Sequence, residues 1–171
     1  AAPAALLTQR WRLIAQLDRF GRTQRYEYAD GTGQQQDSPQ GHLIALTDGV
    51  GRRYRLHYQR LHRGKPAQGL LQADDGWRLQ GVDLIHDPVG SGALPLNLVR
   101  YGYSAAGDLN SVHDRAGVLM REFEYEHHRI VAHRQQAGPW HRYRYESAQP
   151  GARVIEHSNQ QGLGYRFEYL S

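Results

Sequence analysis

The chain has 171 residues, with 21 Lys+Arg against 17 Asp+Glu, 39% hydrophobic residues and no cysteine. No apolar run approaches the roughly twenty residues of a membrane-crossing helix, and disulfide scaffolds and thiolate chemistry are excluded. The cations are interleaved with acids rather than gathered into the basic face of a nucleic-acid binder, so neither nucleic acid nor a membrane span is expected.

Taken in chain order, the first residues, Ala1-Ala2-Pro3, lack the basic flank and apolar core of a signal peptide, and the expectation is a segment excised from a longer protein. Leu6 to Leu17 scores as an amphipathic helix on Leu7, Trp11, Ile14 and Leu17. The pattern that follows claims the end of this stretch, so a strand is expected from about Trp11. Leu13, Asp18, Gly21, Tyr26 and Tyr28 then set a frame: an apolar residue, an Asp-x-x-Gly turn, and a Tyr-x-Tyr strand. A polar, glycine-rich loop follows, from Asp30 to Pro39. Leu43, Leu46, Asp48, Gly51, Leu56 and Tyr58 repeat the frame. His62 to Gly69 is a second turn-rich connection, with a strand candidate around Leu70 to Leu79.

The frame recurs through the second half. Val82, Ile85, Asp87, Gly90, Tyr101 and Tyr103 fit it with an insertion after the glycine. Leu109, Val112, Asp114, Gly117, Phe123 and Tyr125 fit it closely. Ile130, His133, Gln135, Gly138, Tyr143 and Tyr145 carry Gln for Asp, and Val154, His157, Asn159, Gly162, Phe167 and Tyr169 carry Asn. Six degenerate units therefore cover nearly all of residues 1–171 as one repeat region, with turns recurring at intervals of 30, 39, 27, 21 and 24 residues. Strict alternation in Glu122-Phe123-Glu124-Tyr125-Glu126 and Arg142-Tyr143-Arg144-Tyr145-Glu146 is the period of a half-buried strand, aromatic on one face and charged on the other. Asp caps a turn through its side chain and Gly supplies positive φ. Each unit reads as a β-hairpin. In its first strand the two apolar residues are three apart and cannot share a face unless the strand bulges, so a bulge is expected there.

Leu109 to Gly117 through Tyr125, preceded by Tyr103-Ser-Ala-Ala-Gly107, closely resembles the Rhs/YD repeat, and Arg19 to Tyr28 and Asp48 to Tyr58 read the same way. The resemblance implies an all-β fold, stacked antiparallel hairpins in a curved sheet that is part of a spiral β-cocoon. It implies a shell around a C-terminal toxin in a bacterial polymorphic toxin, an Rhs-type effector delivered between bacteria by type VI secretion. The implied partners are the remainder of the shell, its toxin and secretion-spike proteins. The implied location is a secreted effector that is cytoplasmic in its producer. Asp87-Pro88-Val89-Gly90 resembles the family's self-cleavage motif, but Ser91 stands where that motif has Leu and the residues coincide with a repeat turn. A plain turn is expected.

No chemistry competes strongly with this reading. The ten histidines show neither His-x-His nor HExxH spacing, so no metal site is expected. His133 and His157 sit in the apolar slot of their units, where a half-buried imidazole is ordinary. Gly90-Ser91-Gly92 is not a nucleophile elbow, Glu122, Glu124 and Glu126 read as a solvated strand face, and Gly31-Thr-Gly33 is too short for a phosphate loop. No catalytic residue and no cofactor are expected. The residues singled out are the turn and strand positions Asp18, Gly21, Tyr26, Tyr28, Asp48, Gly51, Tyr58, Asp87, Gly90, Tyr101, Tyr103, Asp114, Gly117, Phe123, Tyr125, Gly138, Tyr143, Tyr145, Gly162, Phe167 and Tyr169, all as structural repeat residues. The alternative is a binding module that presents its aromatic row to a carbohydrate or to another protein, and exposed strand edges invite self-association.

Overall fold

The computed structural model describes residues 11–30, 40–61 and 76–170. They form a single open sheet of twelve strands, and no helix occurs among them. The strands are β1 (Ala15–Leu17), β2 (Thr23–Tyr28), β3 (Leu43–Thr47), β4 (Arg53–Arg60), β5 (Trp77–His86) and β6 (Leu96–Tyr103). They continue as β7 (Leu109–Asp114), β8 (Leu119–Glu126), β9 (Arg129–Gln135), β10 (His141–Tyr145), β11 (Val154–Asn159) and β12 (Gly164–Arg166). Spatial order equals chain order and every described pairing is antiparallel, so the chain is a continuous meander. The fold is all-β, stacked hairpins in one sheet.

The meander follows from the local chemistry. A turn every ten or so residues leaves time for a strand and no crossover, and consecutive strands pair with their chain neighbours. Alternation then puts aromatic and aliphatic rows on one face and Arg–Glu rows on the other. Among the described residues no second layer packs on this one. Among the described residues the buried side chains are Ala29, Ala45 and Ala132, whereas Trp11 is 89% exposed and Leu170 is 98% exposed.

Three expectations need correction. The first strand begins at Ala15 rather than Trp11, although the Ile14 carbonyl still accepts from the Tyr26 amide at 3.0 Å. The strand sought around Leu70 to Leu79 is β5, Trp77–His86; residues 70–75 lie outside the described residues, as do 31–39 of the first loop and 62–69 of the second. The third unit is framed by Leu79 and Val82, not Val82 and Ile85. Tyr58 pairs with Leu79 and Val82 with Val99, the same register that Tyr28 with Leu43 and Leu46 with Tyr54 show in the second unit. The extra length therefore lengthens β5 and the loop after it.

Candidate functional site

The recurring joint between hairpins is the most constructed feature of the sheet. It starts at the turn. The Asp48 amide donates to the Arg52 carbonyl (2.9 Å) and the Gly51 amide returns to the Asp48 carbonyl (3.0 Å). Asp48 Oδ1 accepts from the Val50 and Arg52 amides, both at 3.0 Å, and Oδ2 accepts from Arg52 Nε (2.8 Å) and the Tyr54 hydroxyl (3.0 Å). Gly51 sits at φ +89°, where a Cβ is strained. Asp18, Asp114 and Asn159 make the same pair of side-chain bonds to amides two and four residues on, with Gly21, Gly117 and Gly162 at positive φ. Asn serves because the turn needs the Oδ acceptor, not the charge.

Two predicted turn glycines behave differently. Gly90 and Gly138 lie outside the left-handed region. At Gln135–Gly138 the positive φ moves to Gln136 (φ 49°), because Gln135 is one carbon too long to cap its own turn as Asp does. Asp87 accepts from the Val89 amide at 3.1 Å, and its side chain lies against Gly90, where any Cβ would meet Oδ2 at 2.5 Å. The site that resembled a cleavage motif is therefore a close-packed turn of its own kind.

From each turn the second strand returns to the start of its unit. The second tyrosine of the strand donates its hydroxyl to the carbonyl of the unit's first apolar residue: Tyr28 to Leu13 (3.0 Å), Tyr58 to Leu43 (2.7 Å), Tyr103 to Leu79 (2.7 Å), Tyr145 to Ile130 (2.8 Å) and Tyr169 to Val154 (2.7 Å). Burial pushes the hydroxyls of Tyr58 and Tyr103 up, keeping them donors. The second tyrosine of each of the first five units also lies opposite the next unit's first apolar residue, Tyr28 with Leu43, Tyr58 with Leu79, Tyr103 with Leu109, Tyr125 with Ile130 and Tyr145 with Val154. At each of these pairs the register slips by one residue. The bulge falls between the two apolar positions, on Ile44, Gln80, Asn110, Val131 and Ile155, where the three-residue spacing requires it.

A further position went unrecognised in the sequence. Two residues after the first apolar residue stand Ala15, Ala45, Gly81, Ser111 and Ala132, with Glu156 in the last unit. Ala132 lies between Glu124 and Arg142, which join above it at 3.2 Å and leave it 0% exposed. Ala45 lies between Glu27 and Arg55, and Arg53 reaches Glu27 at 2.6 Å. A Cβ on Gly81 would meet the Val99 carbonyl at 2.9 Å. Small residues here let the long ion-paired side chains of adjacent strands close over the sheet. The signal was present as a small residue before the slot residue in five of six units.

Of the aromatic positions, Phe123, Tyr143 and Tyr145 are half-buried, while Phe167 and Tyr169 at the last edge are 42% and 45% exposed. Tyr26 donates to Gln24 at 2.9 Å and Tyr101 faces Val112. Arginines cover the ring of the reaching tyrosine, Arg12 on Tyr28, Arg129 on Tyr145 and Arg153 on Tyr169, at 4.4 to 5.4 Å.

The histidines separate into three groups. His127 and His128 are the two central residues of the β8–β9 turn, both at positive φ as a primed hairpin turn demands, and His128 Nδ1 meets Asp108 at 2.7 Å. His57 Nε2 meets Asp83 Oδ2 at 2.8 Å, and Asn97 donates to the other oxygen at 2.8 Å; the group closes over Gly81, and both carboxylate oxygens are engaged. His62 lies outside the described residues. His133, His141 and His157 converge on the aromatic face of β9, β10 and β11. Among the described residues, no three His, Asp or Glu groups are arranged to hold a metal ion.

No protein-family model matches the chain. It is 35% identical to toxin protein Tse5 of Pseudomonas aeruginosa over 167 residues, 94% of this chain and 12% of that protein. It is 32% identical to double-stranded DNA deaminase toxin A of Burkholderia cenocepacia over 92 residues, 54% of this chain and 6% of that protein. Among solved structures, the Photorhabdus luminescens Tc holotoxin pore matches 81% of this chain and 5% of its own at 23% identity and TM-score 0.49. The TcdB2-TccC3 structure matches 84% and 7% at 20% identity and TM-score 0.46. The chain thus spans a small part of the toxins it is similar to.

Proposed function

We propose that this chain, which is a segment of an Rhs-type polymorphic toxin, is a stretch of non-catalytic wall in a β-shell that holds a C-terminal toxin away from its producer until delivery. The observation that carries the reading is the joint itself: one device of tyrosine, bulge and capped turn recurs along an unbroken meander. A repeated joint with nothing packed behind it among the described residues suits a wall that extends sideways, since each hairpin needs a neighbour rather than a core. The joint reaches both ends of the described sheet, where Tyr28 donates to Leu13 just before β1 and Tyr169, just after β12, donates to Val154.

The remaining shell and the enclosed toxin are the proposed partners, with secretion-spike proteins at the shell's mouth. Type VI secretion is the proposed route, from the producer's cytoplasm into a competitor. The test is protease protection of the C-terminal region in the full polypeptide. Containment expects that region to resist digestion while the sheet is intact, and to become cleavable in step with loss of the joints, as in Asp48→Ala combined with Ala132→Leu. Digestion at the same rate in intact and loosened protein would remove the shell reading and leave the open aromatic face as a binding surface.

A further inference from the structure

The slot at the second apolar position of a unit is filled by Leu46, Val82 and Val112 in the second, third and fourth units, and by His133 and His157 in the last two. His133 lies opposite His141, with ring centroids 5.2 Å apart and planes 16° apart. His141 Nδ1 and His157 Nε2 are 3.0 Å apart. Their centroids are 5.3 Å apart with planes only 22° apart, which is the contact plus a ring radius at each end. The two imidazoles therefore meet edge to edge, nearly coplanar, in the geometry of one N–H···N bond. That bond needs one nitrogen protonated and the facing one bare. The Tyr143 hydroxyl meets His133 Nδ1 at 3.3 Å, and Phe123 and Tyr165 continue the row on either side.

We propose that the joint of β9, β10 and β11 is an acid-labile seam, opened by protonation of His133, His141 and His157 while the aliphatic joints of the same sheet stay closed. A proton on each nitrogen of the His141–His157 contact sets two N–H groups against each other, and a proton on His133 adds a third cation at ring-contact distance. The surroundings offer no compensation among the described residues. From β8 the groups facing the row are Phe123 and the cation Arg121; from β10 and β12 they are Tyr143 and Tyr165; Asn159 lies opposite His141 on β11. Glu122, Glu124 and Glu156 point to the other face and are paired with Arg134, Arg142 and Arg144. Burial, then the charges of His141, Arg121 and His157, hold His133 below the ordinary imidazole range. A base depressed on folding contributes stability above its unfolded pKa of about 6.5 and loses it as pH falls through the folded value, so the seam weakens on acidification.

The inference concerns the chain's own joints and stands apart from whether the wall encloses a cargo. Hydrogen–deuterium exchange of the full polypeptide, corrected for the intrinsic pH dependence of exchange, tests it between about pH 7.5 and about pH 5, either side of the free imidazole value. Protection of β9 to β11 amides should fall by at least about tenfold relative to β3, where Leu46 fills the slot. In the double variant His133→Phe, His157→Phe, which keeps a ring in each slot and leaves His141 with no histidine against it, the pH dependence should vanish. Equal protection of β9 to β11 and β3 at both pH values in the native protein overturns the proposal without recourse to any variant. Persistence of the acid loss in a double variant whose β3 protection is native at about pH 7.5 overturns it too.

Discussion

Strands β3 and β9 hold the same place in their hairpins. Each carries a one-residue bulge, at Ile44 and at Val131, a buried alanine, Ala45 and Ala132, and a first carbonyl that receives a tyrosine hydroxyl. Directly after these fixed points one has Leu46 and the other His133. The joint is thus specified by backbone register and by what must be small, whereas the slot side chain is free to carry packing in one unit and titration in another.

That division ranks the substitutions. The largest effect should come from filling the space beneath an ion pair. Ala132→Leu inserts a branched side chain where Glu124 and Arg142 close, so the pair must open or β9 must shift, at about 2–3 kcal/mol. Ala15→Leu, at the equivalent place in exposed β1, should cost less than about 0.5 kcal/mol. Local opening energies from hydrogen exchange in the full polypeptide measure both, since a long repeat array does not unfold in two states. Similar costs at the two positions would mean that the small residue is incidental.

Next comes the turn. Asp48→Ala removes four hydrogen bonds, two of them to backbone amides, and should open the β3–β4 hairpin by about 2 kcal/mol. Asp87→Ala removes one amide bond in an exposed loop and should cost less than about 1 kcal/mol. Equal losses would show that all Asp-x-x-Gly sites form one turn despite their geometry. Smaller again is Tyr58→Phe, which leaves the Leu43 carbonyl without its donor, about 1 kcal/mol. In the fourth unit an extra bulge at Met120 lengthens the second strand, and Tyr125→Phe should change little. A loss at Tyr125 matching that at Tyr58 would remove the carbonyl contact from the joint.

The sequence made much of this legible because its signals are local. Alternation located the charged and aromatic faces of β8 and β10, and the three-residue apolar spacing required bulges between Leu109 and Val112 and between Ile130 and His133, where they occur. Reading failed where a residue's role depends on a neighbouring strand. Leu79 belongs to the third joint because Tyr58 lies opposite it and Tyr103 reaches its carbonyl, two contacts that spacing along β5 cannot reveal. Ala132 looks featureless until Glu124 and Arg142 are placed on either side. His133, His141 and His157 are eight and sixteen residues apart along the chain, and only the register brings them together.

The smallest predicted effect separates the turns from the histidine seam by pH. Burial raises the Asp48 carboxyl, but the Val50 amide, the Arg52 guanidinium, the Tyr54 hydroxyl and the Arg52 amide together outweigh it and hold the group below its usual range. A carboxylate depressed on folding stabilises above its unfolded pKa, near 3.9, and loses that contribution only as pH falls through the lower folded value. The β3–β4 turn should therefore keep its protection at about pH 5, where β9 to β11 loosen, and give way only below about pH 4. Asn159 makes the same two amide bonds without a titrating group, so the β11–β12 turn should not share this second step. Replacing Asp48 by Asn should abolish the step at β3–β4 while keeping most of the turn. If the step survives in Asp48→Asn, the carboxylate of another unit, and not the cap, governs acid loss in that hairpin.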